Sequence, residues 1–339
     1  MKLVSFNDNG SDRLGIFSGG AIINTAEAKV KTGIDCPVTL KEALNDWDKS
    51  FESLKRIESE YQEKGLLPEL KREDVHLLSP VPSPASCRDG YAFRQHVATA
   101  RRNRGVEMIP EFDMFPVFYF TNHHAVYGEG EIMLEDDHFV RLDFELECAI
   151  VISKKCRNIQ SHEADKYIAG MMVMNDISAR HLQMEEMKLN LGPAKGKDFA
   201  TSFGPYLVTM DELEANAVNT EFGKKYNLRM TAYHNGKQVS EGNVADMNWT
   251  FAEIIERAAY GVTLQPGDII GSGTVGTGCY LELNGTWALE AKSKNESFSP
   301  VWIIPGDTME LQIEGLGRLS NTFTKNPASF SLLTKYKKP

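Results

Sequence analysis

The sequence has little cysteine: Cys36, Cys87, Cys148, Cys156 and Cys279 are five scattered residues in 339. No CxxC pair occurs and the count is odd, which argues against a disulfide framework and a thiolate zinc site. Long apolar runs are absent too. The longest uninterrupted one, Cys148 to Ile152, is far short of the roughly 20 residues that cross a bilayer. The chain opens on Met1 to Asp8 and meets polar and acidic residues before any apolar segment of signal-peptide length. Positive charge is in deficit, with 37 Lys and Arg against 47 Asp and Glu and a formal net charge of −10. Nucleic-acid binding rests on neutralising phosphates, and docking on anionic lipid also needs cations, so neither nucleic acid nor membrane is expected as a partner. Internal repeats and low-complexity tracts are missing. A soluble, cytoplasmic protein is the expectation.

What is present is ordinary globular material, 42% hydrophobic and 25% charged. The length suggests about two domains. Residues 1–35 read as short strands and turns, punctuated by Gly10, Gly15, Gly19 and Gly20. Thr39-Leu40-Lys41-Glu42 fits a capping box, and Leu40, Leu44, Trp47, Phe51, Leu54, Ile57 and Tyr61 make one apolar stripe. One long helix stopping at Gly65 is predicted. The proline-rich stretch Ser79 to Pro84 then stiffens the chain. It divides a small N-terminal α+β domain, 1–78, from a larger, mostly β domain, 79–335. Within the latter, Asn235-Gly236 predicts a hairpin turn and Thr250-Phe251-Ala252-Glu253 a second capping box. Pro266-Gly267-Asp268 and Pro305-Gly306-Asp307 read as tight turns ahead of strands.

Chemistry concentrates in Arg141 to Ile152. As a strand, this segment puts Leu142, Phe144 and Leu146 on one face and Asp143, Glu145 and Glu147 on the other. One reading is a solvated strand face. The other is a cation site, because three like charges on one face repel and the strand runs straight into an apolar stretch. Carboxylates alone suit a hard ion, Mg²⁺ or Ca²⁺, over zinc. Asp176, ahead of a helix carrying Arg180 and Gln183 three apart, is a further candidate. So is Asp89, with His96 seven residues on, about two turns if the span is helical.

Asp89, Tyr91 and His96, the pair Glu145 and Glu147, and Asn175-Asp176-x-Ser178-Ala179-Arg180-x-x-Gln183 together resemble the fumarylacetoacetate hydrolase family. Gly192 to Thr201 is similar to its lysine loop. Gly271-Ser272-Gly273-Thr274 and Leu281-Glu282-Leu283 resemble the segments that follow. The motifs occur in family order over roughly residues 80–325. The resemblance implies an α+β, mainly β fold, with a mixed β-roll catalytic domain, a small N-terminal α+β domain and a homodimer. It assigns Asp89, Glu145, Glu147 and Asp176 to a divalent metal, Mg²⁺ or Ca²⁺ with Mn²⁺ as a third candidate. It assigns catalysis to His96, Glu282, Arg180, Gln183 and Lys197, and substrate contacts to Tyr91, Ala200, Thr201 and Thr274.

The implied reaction is hydrolysis of a C–C bond in a small 1,3-diketo acid, of fumarylacetoacetate or acylpyruvate type. It would stand in aromatic amino-acid catabolism, as in tyrosine degradation. Decarboxylases, isomerases and hydratases of related 2-oxo acids share the fold. A non-catalytic metal-binding protein is the alternative from another class, opposed by the retained Arg180, Gln183 and Lys197. This chain carries Met187 where the family's hydrolases have a tyrosine, and its Arg101–Arg104 cluster is spaced differently from the family's substrate arginine.

Overall fold

A computed structural model describes residues 1–339 apart from Asn9, Leu67, Glu69, Ser329, Tyr336, Lys338 and Pro339. Two β-sheets face one another. The larger has eleven strands, and its middle is Lys2–Asp8, Thr201–Thr209, Ile168–Asp176, Leu146–Ile152, Ile269–Gly271 and Cys87–Gly90 in spatial order. The smaller has five: Lys237–Asn243, Arg229–His234, Thr308–Ile313, Gly317–Lys325 and Gly130–Leu134. The central strand Leu146–Ile152 is buried along its whole length. Leu146, Cys148, Ile150 and Ile152 pack into the core between the sheets, while Ala149 and Val151 pack the other way against the N-terminal segment. Burial on both faces is why this strand reads from Cys148 to Ile152 as an unbroken apolar run.

The N-terminal residues are not a separate core. Lys2–Asp8 pairs with Thr201–Thr209, and Leu14, Ile16, Leu54 and Ile57 share one cluster with Met172, Met174 and Phe203. The proposed division at 79–84 is therefore a division of the chain path, with sheet and core running through it. The long helix predicted from Thr39 is two helices, Leu40–Asn45 and Trp47–Glu63. Asp46 leaves the helical conformation and its carboxylate accepts from the Lys49 amide, capping the second helix. The apolar stripe survives the break: all its members but the half-buried Phe51 are buried. Truncating a core member such as Leu54 costs about 2–5 kcal/mol. Gly65, at φ 61°, ends the helix with the Leu66 amide donating to the Tyr61 carbonyl at 2.9 Å.

The other turn predictions appear as expected. His234 faces Lys237 across a turn in which Asn235 and Gly236 have positive φ. Thr250 and Glu253 form a reciprocal cap on Phe251–Ala259. No helix among the described residues is long and apolar enough to cross a membrane.

Candidate active site

Four carboxylates meet where strands of the large sheet end. Asp89 comes from Cys87–Gly90, Asp176 closes Ile168–Asp176, and Glu147 opens Leu146–Ile152 with Glu145 just before it. One oxygen from each falls within 4.8 Å of the others. All are buried, Glu145 the most exposed at 5%, which removes the reading of a solvated strand face. The predicted single strand over 141–152 is in fact two, Leu142–Asp143 and Leu146–Ile152. The break at Phe144 and Glu145 turns Asp143 away from the cluster. Nor is the Asp89–His96 span helical. Asp89 lies on a strand and His96 on the helix Arg94–Asn103, and the turn between them brings both to one cavity.

The glycine segment after Ile270 supports the cluster. The Gly273 amide donates to Asp89 Oδ1 at 3.1 Å and to Glu147 Oε2 at 3.0 Å, and the Thr274 hydroxyl reaches Glu147 Oε1 at 3.2 Å. Gly273 has φ 80°, and a Cβ there would lie 2.7 Å from the Gly90 carbonyl. Only glycine suits both the backbone and the space. Lys197 sets its ammonium between Glu145 and Asp176, 2.7 Å from Asp176 Oδ2. Arg180 donates to Glu145 Oε1 at 2.7 Å, to Asp143 Oδ2 at 2.8 Å and to Gln183 Oε1 at 3.0 Å.

The electrostatics follow from this packing. Burial, then the neighbouring Asp176, pushes the Asp89 carboxyl up to about 8. Burial and Asp89 push Glu147 well above the usual carboxylate range. Burial would raise Glu145 too, but Lys197 and Arg180 outweigh it and hold that carboxyl low. The protein's own cations thus balance the Glu145 side and leave the Asp89 and Glu147 side in need of positive charge. Asp176 Oδ1 is buried without a hydrogen-bond partner. An all-oxygen donor set with an orphaned oxygen, and with two carboxyls that repel one another, fits a hard divalent cation.

A cavity of about 950 Å³ opens over this cluster. Asp89, Glu145, Lys197, Arg180 and Gln183 line it, as do Tyr91, His96 and Thr274. His96 Nδ1 lies 2.6 Å from Glu282 Oε2, and Glu282 Oε1 accepts from the Thr277 amide at 3.0 Å. A carboxylate only accepts, so Nδ1 carries the proton and Nε2 is left as the acceptor. Cys279 lies beside this pair, but burial, then Asp143, pushes its thiol well up, so it is a neutral neighbour. Ala200 and Thr201, both buried, are not among the residues that line the cavity. Thr201 starts a strand opposite Asp176, and its amide bonds to Ala125. Of the cluster 101–104, Asn103 and Arg104 line the cavity while Arg101 and Arg102 do not, and Arg141 joins them there. Met187 lines it as well.

Sequence reasoning missed Tyr119, whose phenol donates to Asp176 Oδ2. It sits opposite Asp89 in the strand Phe118–Thr121, inside an aromatic run with no motif to mark it. Asp143 is not part of the carboxylate cluster with which strand alternation groups it, since alternation gives no sign of the break at Phe144 and Glu145.

Residues 86–324 match the family model described as fumarylacetoacetate (FAA) hydrolase C-terminal. A maleylpyruvate hydrolase of Aquipseudomonas alcaligenes is 28% identical over 94% of this chain and 98% of its own. An oxaloacetate tautomerase of Bacillus subtilis is 28% identical over 73% of each. In fold, the maleylpyruvate hydrolase from Sphingobium sp. SYK-6 superimposes with a TM-score of 0.65 at 20% identity, over 96% of this chain and all of that one. The family match spans every residue of the carboxylate cluster and both members of the His96–Glu282 pair, and the chain belongs to the fumarylacetoacetate hydrolase family.

Proposed function

We propose that this enzyme is a divalent-metal-dependent hydrolase that cleaves the C–C bond of a 1,3-diketo acid of acylpyruvate type. The observation that carries the reading is the buried His96–Glu282 pair at 2.6 Å on the wall of the carboxylate-floored cavity. Asp89, Glu145, Glu147 and Asp176 would hold the cation, Mg²⁺, Ca²⁺ or Mn²⁺. Bound there, it supplies Lewis-acid polarisation of carbonyl oxygens. His96 Nε2 takes a proton from water as the oxygen adds to the acyl carbonyl. Glu282 keeps the imidazole in the working tautomer and stabilises the imidazolium. Arg180, Gln183 and Lys197 face the oxygen that gains charge, each such donor being worth about 3–4 kcal/mol. The C–C bond then breaks with its electron pair on the methylene carbon, and the imidazolium returns the proton. A carboxylic acid and pyruvate are the products. Tyr91 and Thr274 flank the substrate.

The test is pyruvate release from acylpyruvates, with His96→Ala expected to lose at least 100-fold in kcat. Retention of the full rate would remove His96 as the base. A second reading, tautomerisation or isomerisation of a 2-oxo acid, is favoured by the Bacillus subtilis relative. It needs the same base and cation but no attacking water. Enol–keto exchange of oxaloacetate without any bond cleavage would select it. The homodimer and the link to tyrosine degradation remain proposals from the resemblance, tested by light scattering and by fumarylacetoacetate turnover.

A further inference from the structure

Asp143 is fully buried, and among the described residues its carboxylate accepts four hydrogen bonds, three of them from Arg180 and from the start of the helix that carries Glu282. Its Oδ1 accepts from the amides of Tyr280 at 2.7 Å and Phe144 at 2.9 Å. Its Oδ2 accepts from the Leu281 amide at 2.9 Å and from Arg180 Nε at 2.8 Å. Tyr280 and Leu281 open the helix Tyr280–Ser293, which carries Glu282. That helix has Cys279 at its cap position, and Cys279 makes no side-chain capping bond. Its first amides therefore need an acceptor from elsewhere in the chain, and Asp143 supplies it. A carboxylate at the start of a 14-residue helix also meets the positive end of its dipole.

We propose that Asp143 is a positioning residue that ties Arg180 to the helix bearing Glu282, and so sets where the guanidinium stands relative to the His96–Glu282 pair. This rests on the hydrolase reading for its kinetic arm only. Asp143 is close to no reacting atom by its own contacts, and each of its oxygens is already saturated. Its effect passes through Arg180 on one side and through Tyr280 and Leu281 on the other. An amide cannot replace it. With its oxygen toward Tyr280 and Phe144, an Asn NH₂ would face the N–H groups of Leu281 and Arg180. Flipped, it would face those of Tyr280 and Phe144. Either way donors oppose donors and one link is lost.

The experiment compares wild type with Asp143→Asn and Asp143→Ser. Three quantities are measured: kcat and KM on an acylpyruvate, Mn²⁺ affinity by calorimetry, and amide exchange at residues 279–284. The expected result is a kcat loss of about 100-fold with KM and the Mn²⁺ Kd within about threefold, the size of effect that a misplaced positioning contact gives. Amide exchange at Tyr280 and Leu281 should quicken at least about tenfold. A kcat within about threefold of wild type and unchanged exchange would overturn the proposal. So would failure of both variants to fold into an Mn²⁺-binding protein, which would make Asp143 a folding residue only. If wild type itself cleaves no acylpyruvate, the hydrolase reading fails, while exchange and Mn²⁺ affinity still decide the tie to the helix.

Discussion

Replacing Glu282 by Gln changes one oxygen to an NH₂ and leaves size and shape almost untouched. Its two oxygens have distinct partners: Thr277 N–H donates to Oε1 at 3.0 Å, and His96 Nδ1 lies 2.6 Å from Oε2. An amide must therefore choose. Turning its NH₂ to Thr277 sets donor against donor and leaves a largely buried N–H unpaired, a cost of about 1–3 kcal/mol. The favoured orientation keeps the oxygen on Thr277 and points the NH₂ at His96 Nδ1. That nitrogen must then accept, which forces the ring proton onto Nε2. The imidazole is locked in the tautomer that cannot take a proton from water. The corresponding Asp→Asn change in a serine-protease triad lowers kcat about 10⁴-fold, and a loss of about 10³–10⁴-fold is expected here with KM little changed. The assay is steady-state pyruvate release by Glu282→Gln, with Mn²⁺ binding as the check on folding. A kcat within about tenfold of wild type would refute the tautomer logic.

Other perturbations give separable outcomes. Tyr119→Phe removes the phenol that bonds Asp176, and calorimetry should find Mn²⁺ bound about tenfold more weakly. Asp89, pushed up to about 8 by burial and Asp176, must lose a proton to bind a cation. Apparent Mn²⁺ affinity should then fall by about tenfold or more for each pH unit below 8, since Glu147 is pushed up as well, read by titrations at pH 6, 7 and 8. Burial, then Lys195, pushes His138 from 6.5 down to about 4, and the Glu135 amide donates to its Nδ1. Its stability contribution is present above the unfolded value near 6.5 and is lost as pH falls through about 4. That is about 3 kcal/mol, so urea unfolding of His138→Gln should show a weaker acid dependence than wild type between those values.

Much of the site was legible because its chemistry is written in short segments. Glu147 and Asp176 stand at strand ends that flank apolar runs, and Arg180 and Gln183 share a helix face as their spacing requires. The local geometry was less legible. The seven-residue step from Asp89 to His96 paired two cavity residues for a helical reason that does not hold. Alternation placed Asp143 with Glu145 and Glu147, but the strand breaks between them, and the freed carboxylate caps a helix more than 130 residues away in the chain. Tyr119 reaches Asp176 by sheet register, which no local pattern encodes. Asp46 lies inside the span of the helical stripe, between Leu44 and Trp47, yet ends one helix and caps the next, because a short side-chain acceptor competes with continued helix.

In the proposed reaction the carboxylate cluster and the His96–Glu282 pair together hydrolyse a diketo acid. The most direct measurement is product analysis of one acylpyruvate, using protein stripped with chelator and then reloaded with Mg²⁺ or Mn²⁺. Pyruvate and the matching carboxylic acid should form one to one in the reloaded sample, with the stripped sample at least about 100-fold slower. Full activity after stripping, or substrate consumed without C–C cleavage, would contradict it.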